Sequence, residues 1–151
     1  MTAGEFTEFD RDVRLHVFRR AADTGVVPQL QEIAAVLGHA PDAVEASLRR
    51  LADARLLVLA PGSTAIWMAH PFSAVPTDFT VTSRGRTYFG NCIWDALGIP
   101  ALLDADGLVE TACADCGAPQ ALEVRAGAVR SGGIVHFSVP AARWWVNIGF
   151  T

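Results

Sequence analysis

A thiol and a carboxyl stand three residues apart in one apolar segment of this chain. Cys92 and Asp95 fall within a run that begins at Tyr88 and ends at Pro100. If the segment is helical, both side chains lie on one face, because residues three or four apart are neighbours on a helix surface. A thiol can serve as a nucleophile or a soft-metal ligand, and a carboxyl can carry a proton. The spacing therefore predicts metal or nucleophilic chemistry coupled to proton transfer.

The other two cysteines, Cys113 and Cys116, form a C-x-x-C pair. In a cytosolic chain this spacing indicates metal or redox chemistry rather than a disulfide framework. Together with Cys92 they would supply three thiolates, and His136 or Asp95 would complete a zinc or copper site. The alternative is a pair of small, partly buried thiols in a turn.

The composition predicts a cytoplasmic protein with no membrane partner. The chain has 151 residues, 51% of them hydrophobic, and a net charge of −4. No apolar run approaches the roughly 18 residues that cross a bilayer. The first residues lack the basic-then-apolar order of a signal peptide.

The first half is predicted to form a winged helix-turn-helix domain, with three helices followed by a β-hairpin. Apolar periodicity and turn residues indicate helices over 10–24, 28–38 and from 41, with strands over 56–59 and 65–69. Such domains commonly bind DNA, but residues 1–80 contain seven arginines against ten acidic residues and no lysine. Because phosphate contacts need basic side chains, we expect a packing domain without a nucleic-acid partner.

The second half is predicted to be a small, mostly antiparallel sheet with short helices, which makes the fold class α+β. A stiff connector over 70–76 separates the halves, so the predicted domains are 1–76 and 77–151. The predicted strands are 79–82, 108–112, 121–125 and 134–139, with a short helix over 91–98 that stops near Gly98 and Pro100.

Some further side chains receive structural expectations. His136 falls in the pattern of the last strand and is expected to be a sheet residue, whereas His70 in the connector is expected to be exposed. Trp144 and Trp145 are expected to contribute to burial beneath the sheet, although adjacent positions on a strand cannot both face inward.

The order of these segments resembles the organomercurial (alkylmercury) lyase family. Cys-x-x-Asp at 92–95 is followed by Cys-Ala-Asp-Cys-Gly-Ala-Pro at 113–119, a glycine-punctuated hairpin, and Val-His-Phe-Ser-Val-Pro at 135–140. The resemblance covers nearly the whole chain. It implies a winged-helix-like domain packed on a small catalytic domain.

The resemblance also implies a reaction, the protonolysis of a carbon–mercury bond. Cys92 would be the thiolate that captures the metal, Asp95 would carry the proton, and Cys113 would match a third, mainly structural family cysteine. Mercury, as substrate and product, is a soft metal that prefers thiolates. No organic cofactor is implied, and the partners would be a small organometallic substrate and an external thiol that removes the metal.

One family residue has no counterpart in the chain. The second catalytic cysteine would fall at about Thr151, the last residue. Truncation of the catalytic domain, altered chemistry, and Cys116 standing in for the missing thiol are three explanations that stay open. A missing terminal strand would also expose a sheet edge, through which the chain could form a homodimer.

Two other functions compete with the lyase. One is a non-enzymatic metal-binding or metal-sensing protein that uses Cys92, Cys113 and Cys116. The other is a winged-helix regulator whose second half senses a ligand, against which the lack of a basic face counts.

Overall fold

Three helices open the fold in the computed structural model, which describes residues 6–150. They are α1 (Glu8–Thr24), α2 (Leu30–Leu37) and α3 (Pro41–Asp53), so the three predicted helices are present. Thr7 begins α1 with a capping box, in which its hydroxyl accepts from the Asp10 N–H while the Asp10 carboxylate accepts from the Thr7 N–H. None of the helices in the described part of the chain is long and apolar enough to cross a membrane.

An ion pair between a buried carboxylate and a partly exposed guanidinium holds α1 against α3. The Arg50 guanidinium donates to the Asp10 carboxylate at 2.7 Å, and the Asp10 side chain is fully buried. The hydrogen bond from Arg50 is the main reason that the pKa of Asp10 lies well below its usual range. The pair therefore stabilises the fold only while Asp10 is ionised.

A small antiparallel sheet follows the helices. Its strands are β1 (Val58–Leu59), β2 (Ile66–Ala69) and β3 (Phe72–Ser73), in that spatial order. The third strand lies inside the segment predicted to be a connector, and Phe72 is only 2% exposed. Two residues are too few to show the alternation by which strands are recognised, so the pattern could not reveal this strand.

The second sheet has five antiparallel strands in the order β5-β4-β6-β7-β8. They are β4 (Thr80–Ser83), β5 (Arg86–Phe89), β6 (Gly107–Ala112), β7 (Pro119–Arg125) and β8 (Ala128–Val129). The predicted class, a mixed α+β fold with antiparallel sheets, is confirmed. The hairpin partner β5 was not predicted.

The strand predicted over 134–139 is absent. Ile134 is 95% exposed, and the described backbone in this segment pairs with no strand. An extended segment becomes a strand only when it pairs with another strand, and β7 is already paired with β6 on one side and with β8 on the other. The alternation of residue types over 134–139 was therefore misleading.

The helix α4 (Ile93–Leu102) runs past the predicted stop at Gly98 and Pro100. Proline inside a helix removes one backbone hydrogen bond. Packing compensates for the lost hydrogen bond, because Pro100 is buried with its ring against Gly107. The contact is so close that a Cβ added to Gly107 would lie 2.5 Å from the ring. The Leu103 N–H still donates to the Ile99 carbonyl at 3.0 Å, so the last turn is intact.

One apolar core extends from the first helices to the second sheet. Val13 and Val17 of α1 belong to the same buried cluster as Val81 and Val109 of the sheet. The Tyr88 hydroxyl also donates to the carbonyl of Ala22 at 2.9 Å. The division into 1–76 and 77–151 stays a prediction, and the core is shared across it.

Candidate functional site

Cys92 occupies the N-cap position of α4, directly before the first helical residue. Its backbone is extended, and its half-buried side chain forms no capping hydrogen bond, although the N–H groups of Asp95 and Trp94 face the sulfur. The close packing of Gly90 on the first turn allows this arrangement. A Cβ at Gly90 would lie 2.6 Å from the backbone nitrogen of Ala96.

Burial raises the pKa of the Cys92 thiol above its ordinary value. The two N–H groups act in the opposite direction, and the negative charge of Asp95 adds to the rise. The resting sulfur is therefore a thiol that must lose its proton before it can ligate a metal. Asp95 is the acidic residue of the first turn of the helix that Cys92 begins.

Asp95 belongs to a small polar cluster with Asn91 and His70. Its Oδ2 accepts from the Asn91 side-chain amide at 2.8 Å and lies 3.1 Å from Nδ1 of His70. The same amide group faces the Pro71 carbonyl at 3.4 Å. These contacts fix the orientation of the carboxyl that the sequence singled out.

His70 is the residue that sequence reasoning missed. It was expected to be exposed, but its side chain is only 30% exposed, and its Nε2 is buried without a hydrogen-bond partner among residues 6–150. The ring of Trp145 packs against it edge-on with centroids 6.0 Å apart. A lone histidine in a turn carries no local signal of this role, since Asp95 lies 25 residues further along the chain.

A cavity of about 790 Å³ opens beside Cys92. It lies between α4, the strands β6 and β7, and the segment over 131–139. Cys92 and Cys113 both line this cavity, whereas Asp95 and Cys116 are not among the described residues of its wall. The apolar part of the wall includes Phe79, Ile93, Leu97, Leu122, Phe137 and Trp144.

Cys113 and Cys116 share a tight turn between β6 and β7. The Gly117 N–H donates to the Cys113 carbonyl, and the Cys113 N–H donates to the Ala118 carbonyl, both at 2.8 Å. Gly117 has a φ of 71°, which favours glycine. The N–H groups of Cys116 and Asp115 and the Cys116 side chain face the sulfur of Cys113, and they lower the pKa of that half-buried thiol.

The structure does not gather the three cysteines into one metal site. Among residues 6–150, no group of three or more His, Cys, Asp or Glu side chains is placed to hold a metal ion. Cys116 is exposed, while Cys92 and Cys113 are half-buried. The predicted ligand set of Cys92, Cys113 and Cys116 therefore stays a prediction, as does any zinc or copper occupant.

The segment over 131–139 and Trp144 line the cavity instead of lying under the sheet. His136 is exposed in an irregular segment on the cavity wall, so the expectation of a sheet residue was wrong. Trp144 and Trp145 lie in a 3-10 helix over Ala141–Val146, and neither is fully buried. Trp144 packs on Phe137 with ring centroids 5.1 Å apart, and its indole N–H donates to the Val139 carbonyl at 2.7 Å.

Comparison with known proteins identifies the family. The sequence model of MerB, alkylmercury lyase, matches residues 72–150, just over half of the chain. This protein belongs to the alkylmercury lyase family. The matched part of this family member contains the whole of α4, the polar cluster except His70, and both cavity-lining cysteines.

Solved structures show the same fold for this alkylmercury lyase family member. The crystal structure of the mercury-bound form of MerB2 superimposes with a TM-score of 0.66 over 84% of the present chain, at 23% sequence identity. The present chain spans 61% of the length of that protein. A search of curated protein sequences finds no match.

Proposed function

We propose that this family member cleaves the carbon–mercury bond of a small organomercurial by protonolysis. One observation carries the proposal. The thiol of Cys92 lines the cavity at the start of α4, and the carboxyl of Asp95, three residues later, is held in place by Asn91 and His70. Membership of the alkylmercury lyase family supports this function over metal sensing or DNA regulation.

Cys92 captures the substrate in the first step. Its thiol loses a proton to Asp95, and the sulfur replaces the labile ligand X of R–Hg–X, which leaves as an anion. Burial favours the neutral thiol, so the formation of the Cys92 thiolate costs free energy and needs a neighbouring base to accept the proton. The apolar wall of the cavity suits the organic group R.

Asp95 returns the proton in the second step. The carbon–mercury bond breaks, its electron pair takes the proton from Asp95, and R–H leaves. Mercury remains as Hg²⁺ on the sulfur of Cys92 with an external thiolate as its other ligand. Overall, R–Hg⁺ and H⁺ give R–H and Hg²⁺, and excess thiol removes the metal.

The experiment is a product assay. The protein is incubated with phenylmercury and excess thiol, and benzene is measured against a thiol-only control. We expect Cys92→Ser to give no benzene above that control, and Asp95→Asn to lower the rate by about 100-fold or more. Asp12→Asn, the same exchange at an exposed position of α1, is the matched control and should leave the rate unchanged. Undiminished product from Cys92→Ser refutes the proposal.

Further parts of the proposal concern the rest of the molecule. We infer that residues 1–76 form a winged-helix domain that packs on a catalytic domain over 77–151 without binding nucleic acid. The same proposal includes a cytoplasmic location, an external thiol partner and a homodimer. The three helices and the following antiparallel strands support the winged-helix assignment.

A further inference from the structure

The turn that joins β6 to β7 carries two thiols whose chemistry the proposed reaction does not use. Cys113 and Cys116 are both free, and the side chain of Cys116 faces the sulfur of Cys113. The N–H groups of Asp115 and Cys116 face the same sulfur. Two thiols on one turn closed by backbone hydrogen bonds can act together as a bidentate ligand, and the two N–H groups can compensate negative charge on Cys113.

This turn lies between the cavity and the solvent. Cys113 lies on the wall of the cavity that Cys92 also lines, whereas Cys116 is exposed. A ligand that leaves Cys92 within the cavity can reach the sulfur of Cys113 without crossing protein. The sulfur of Cys116 can then be reached from outside by a small thiol.

We propose that Cys113 and Cys116 form a two-thiol site that takes the Hg²⁺ produced at Cys92. The inference rests on the proposed function, since that reaction supplies the ion. It differs from the predicted three-cysteine site because Cys92 is the donor of the metal and not a third ligand.

The donor set selects a soft ion that accepts two ligands. Thiolates favour soft metals, and protein zinc sites are almost always four-coordinate. Among the described residues, no third His, Cys, Asp or Glu side chain completes a ligand group with this pair. Hg²⁺ bonds well to two thiolates alone, so the pair suits it better than zinc.

The exchange balances in atoms and charge. Mercury on Cys92, with one external ligand X⁻, exchanges both ligands for Cys113 and Cys116. The two thiols lose two protons, of which one returns to the sulfur of Cys92 and one leaves as HX. No oxidant or reductant is needed.

Mercury retention by a variant without the proposed catalytic thiol tests the site. Reduced Cys92→Ser protein receives one equivalent of HgCl2, then a tenfold excess of glutathione, and protein-bound mercury is measured after gel filtration. We expect about one mercury per chain at the unchanged molecular mass. Cys92→Ser combined with Cys116→Ser should retain at least tenfold less, and since Cys116 is exposed, this substitution leaves the core intact.

Either of two results overturns the inference. One is equal retention by the two variants. The other is half a mercury per chain at doubled mass, which would mean that the ion bridges two copies. Neither result depends on catalysis, so the benzene assay of the wild-type protein shows separately whether the proposed function also fails.

Discussion

The imidazole Nδ1 of His70 lies 3.1 Å from Oδ2 of Asp95, although the two residues come from different halves of the fold. The side-chain amide of Asn91, just before α4, donates to the same oxygen at 2.8 Å. The carboxyl of Asp95 is therefore oriented from two directions. His70 is a positioning residue in this arrangement because its contact is with Asp95 and it does not line the cavity described above.

Replacement of His70 by Phe should lower kcat for phenylmercury cleavage by about 10–100-fold, since small misplacements of a catalytic group have effects of this size. KM should stay nearly constant, because the cavity wall is unchanged. His70→Asn, whose amide can still donate to Asp95, should recover much of the rate. Full activity of His70→Phe would contradict the positioning role.

Alkylation should distinguish the two cavity-lining thiols. The pKa of Cys113 is lowered by backbone N–H groups, and that of Cys92 is raised by burial. The thiolate is the reactive form, so iodoacetamide at neutral pH should label Cys113 before Cys92. The labelling rate of Cys92 should increase as the pH rises, because more of its thiol is then ionised. Peptide mass spectrometry measures both rates.

The charge of Asp95 provides an internal check on that experiment. Asp95→Asn removes a negative charge that raises the pKa of Cys92, so it should speed the labelling of Cys92 and leave that of Cys113 unchanged. Faster labelling of Cys92 than of Cys113 in the wild-type protein at neutral pH would contradict the assignment.

A methyl group at Gly90 should disturb both stability and the site. The new Cβ would lie 2.6 Å from the Ala96 nitrogen, so β5 and α4 would have to separate. We expect Gly90→Ala to cost about 1–3 kcal/mol in the free energy of unfolding, as overpacking does. Gly98→Ala, inside α4, is the control, because nothing lies within 4 Å of its added Cβ.

Chemical denaturation measures both glycine variants. Gly98→Ala should be neutral or stabilise by up to about 1 kcal/mol, since alanine is the better helix former. Equal stability of the two variants would show that Gly90 does not control the approach of β5 to α4.

The Asp10–Arg50 pair predicts how stability depends on pH. The pKa of Asp10 is lowered in the folded state, so its stabilisation is complete above the unfolded value of about 4 and is lost as the pH falls through the folded value. Asp10→Asn should cost about 2–3 kcal/mol at pH 7, less than a fully buried pair, because the Arg50 side chain is 43% exposed.

Urea unfolding at pH 7 and pH 3 tests this dependence. The difference between wild type and Asp10→Asn should shrink at the lower pH. A difference that stays constant between these two values would show that the ionised carboxylate is not the source of the stabilisation.

Local patterns predicted the helices better than the strands. The periodicity of Val13 and Val17 is a local feature, and the helix predicted over 10–24 corresponds to α1 (Glu8–Thr24). Strands depend on partners from elsewhere in the chain, which explains the false strand over 134–139 and the unpredicted β5. The spacing of Cys92 and Asp95 correctly indicated that both lie at one helix end, but the contact of His70 with Asp95 could not be predicted, because it is made only by the fold.

Two tryptophans near Cys92 can serve as a spectroscopic label for this part of the molecule. Trp94, two residues from Cys92, packs edge-on against Phe137, and Trp144 lies in the cavity wall. A heavy atom close to an indole quenches its emission, so mercury on Cys92 would dim these two tryptophans. Trp67 lies in β2, outside the cavity wall described above, and would retain most of its fluorescence emission. The arrival of the metal in the cavity can therefore be timed in a fluorimeter without any added dye.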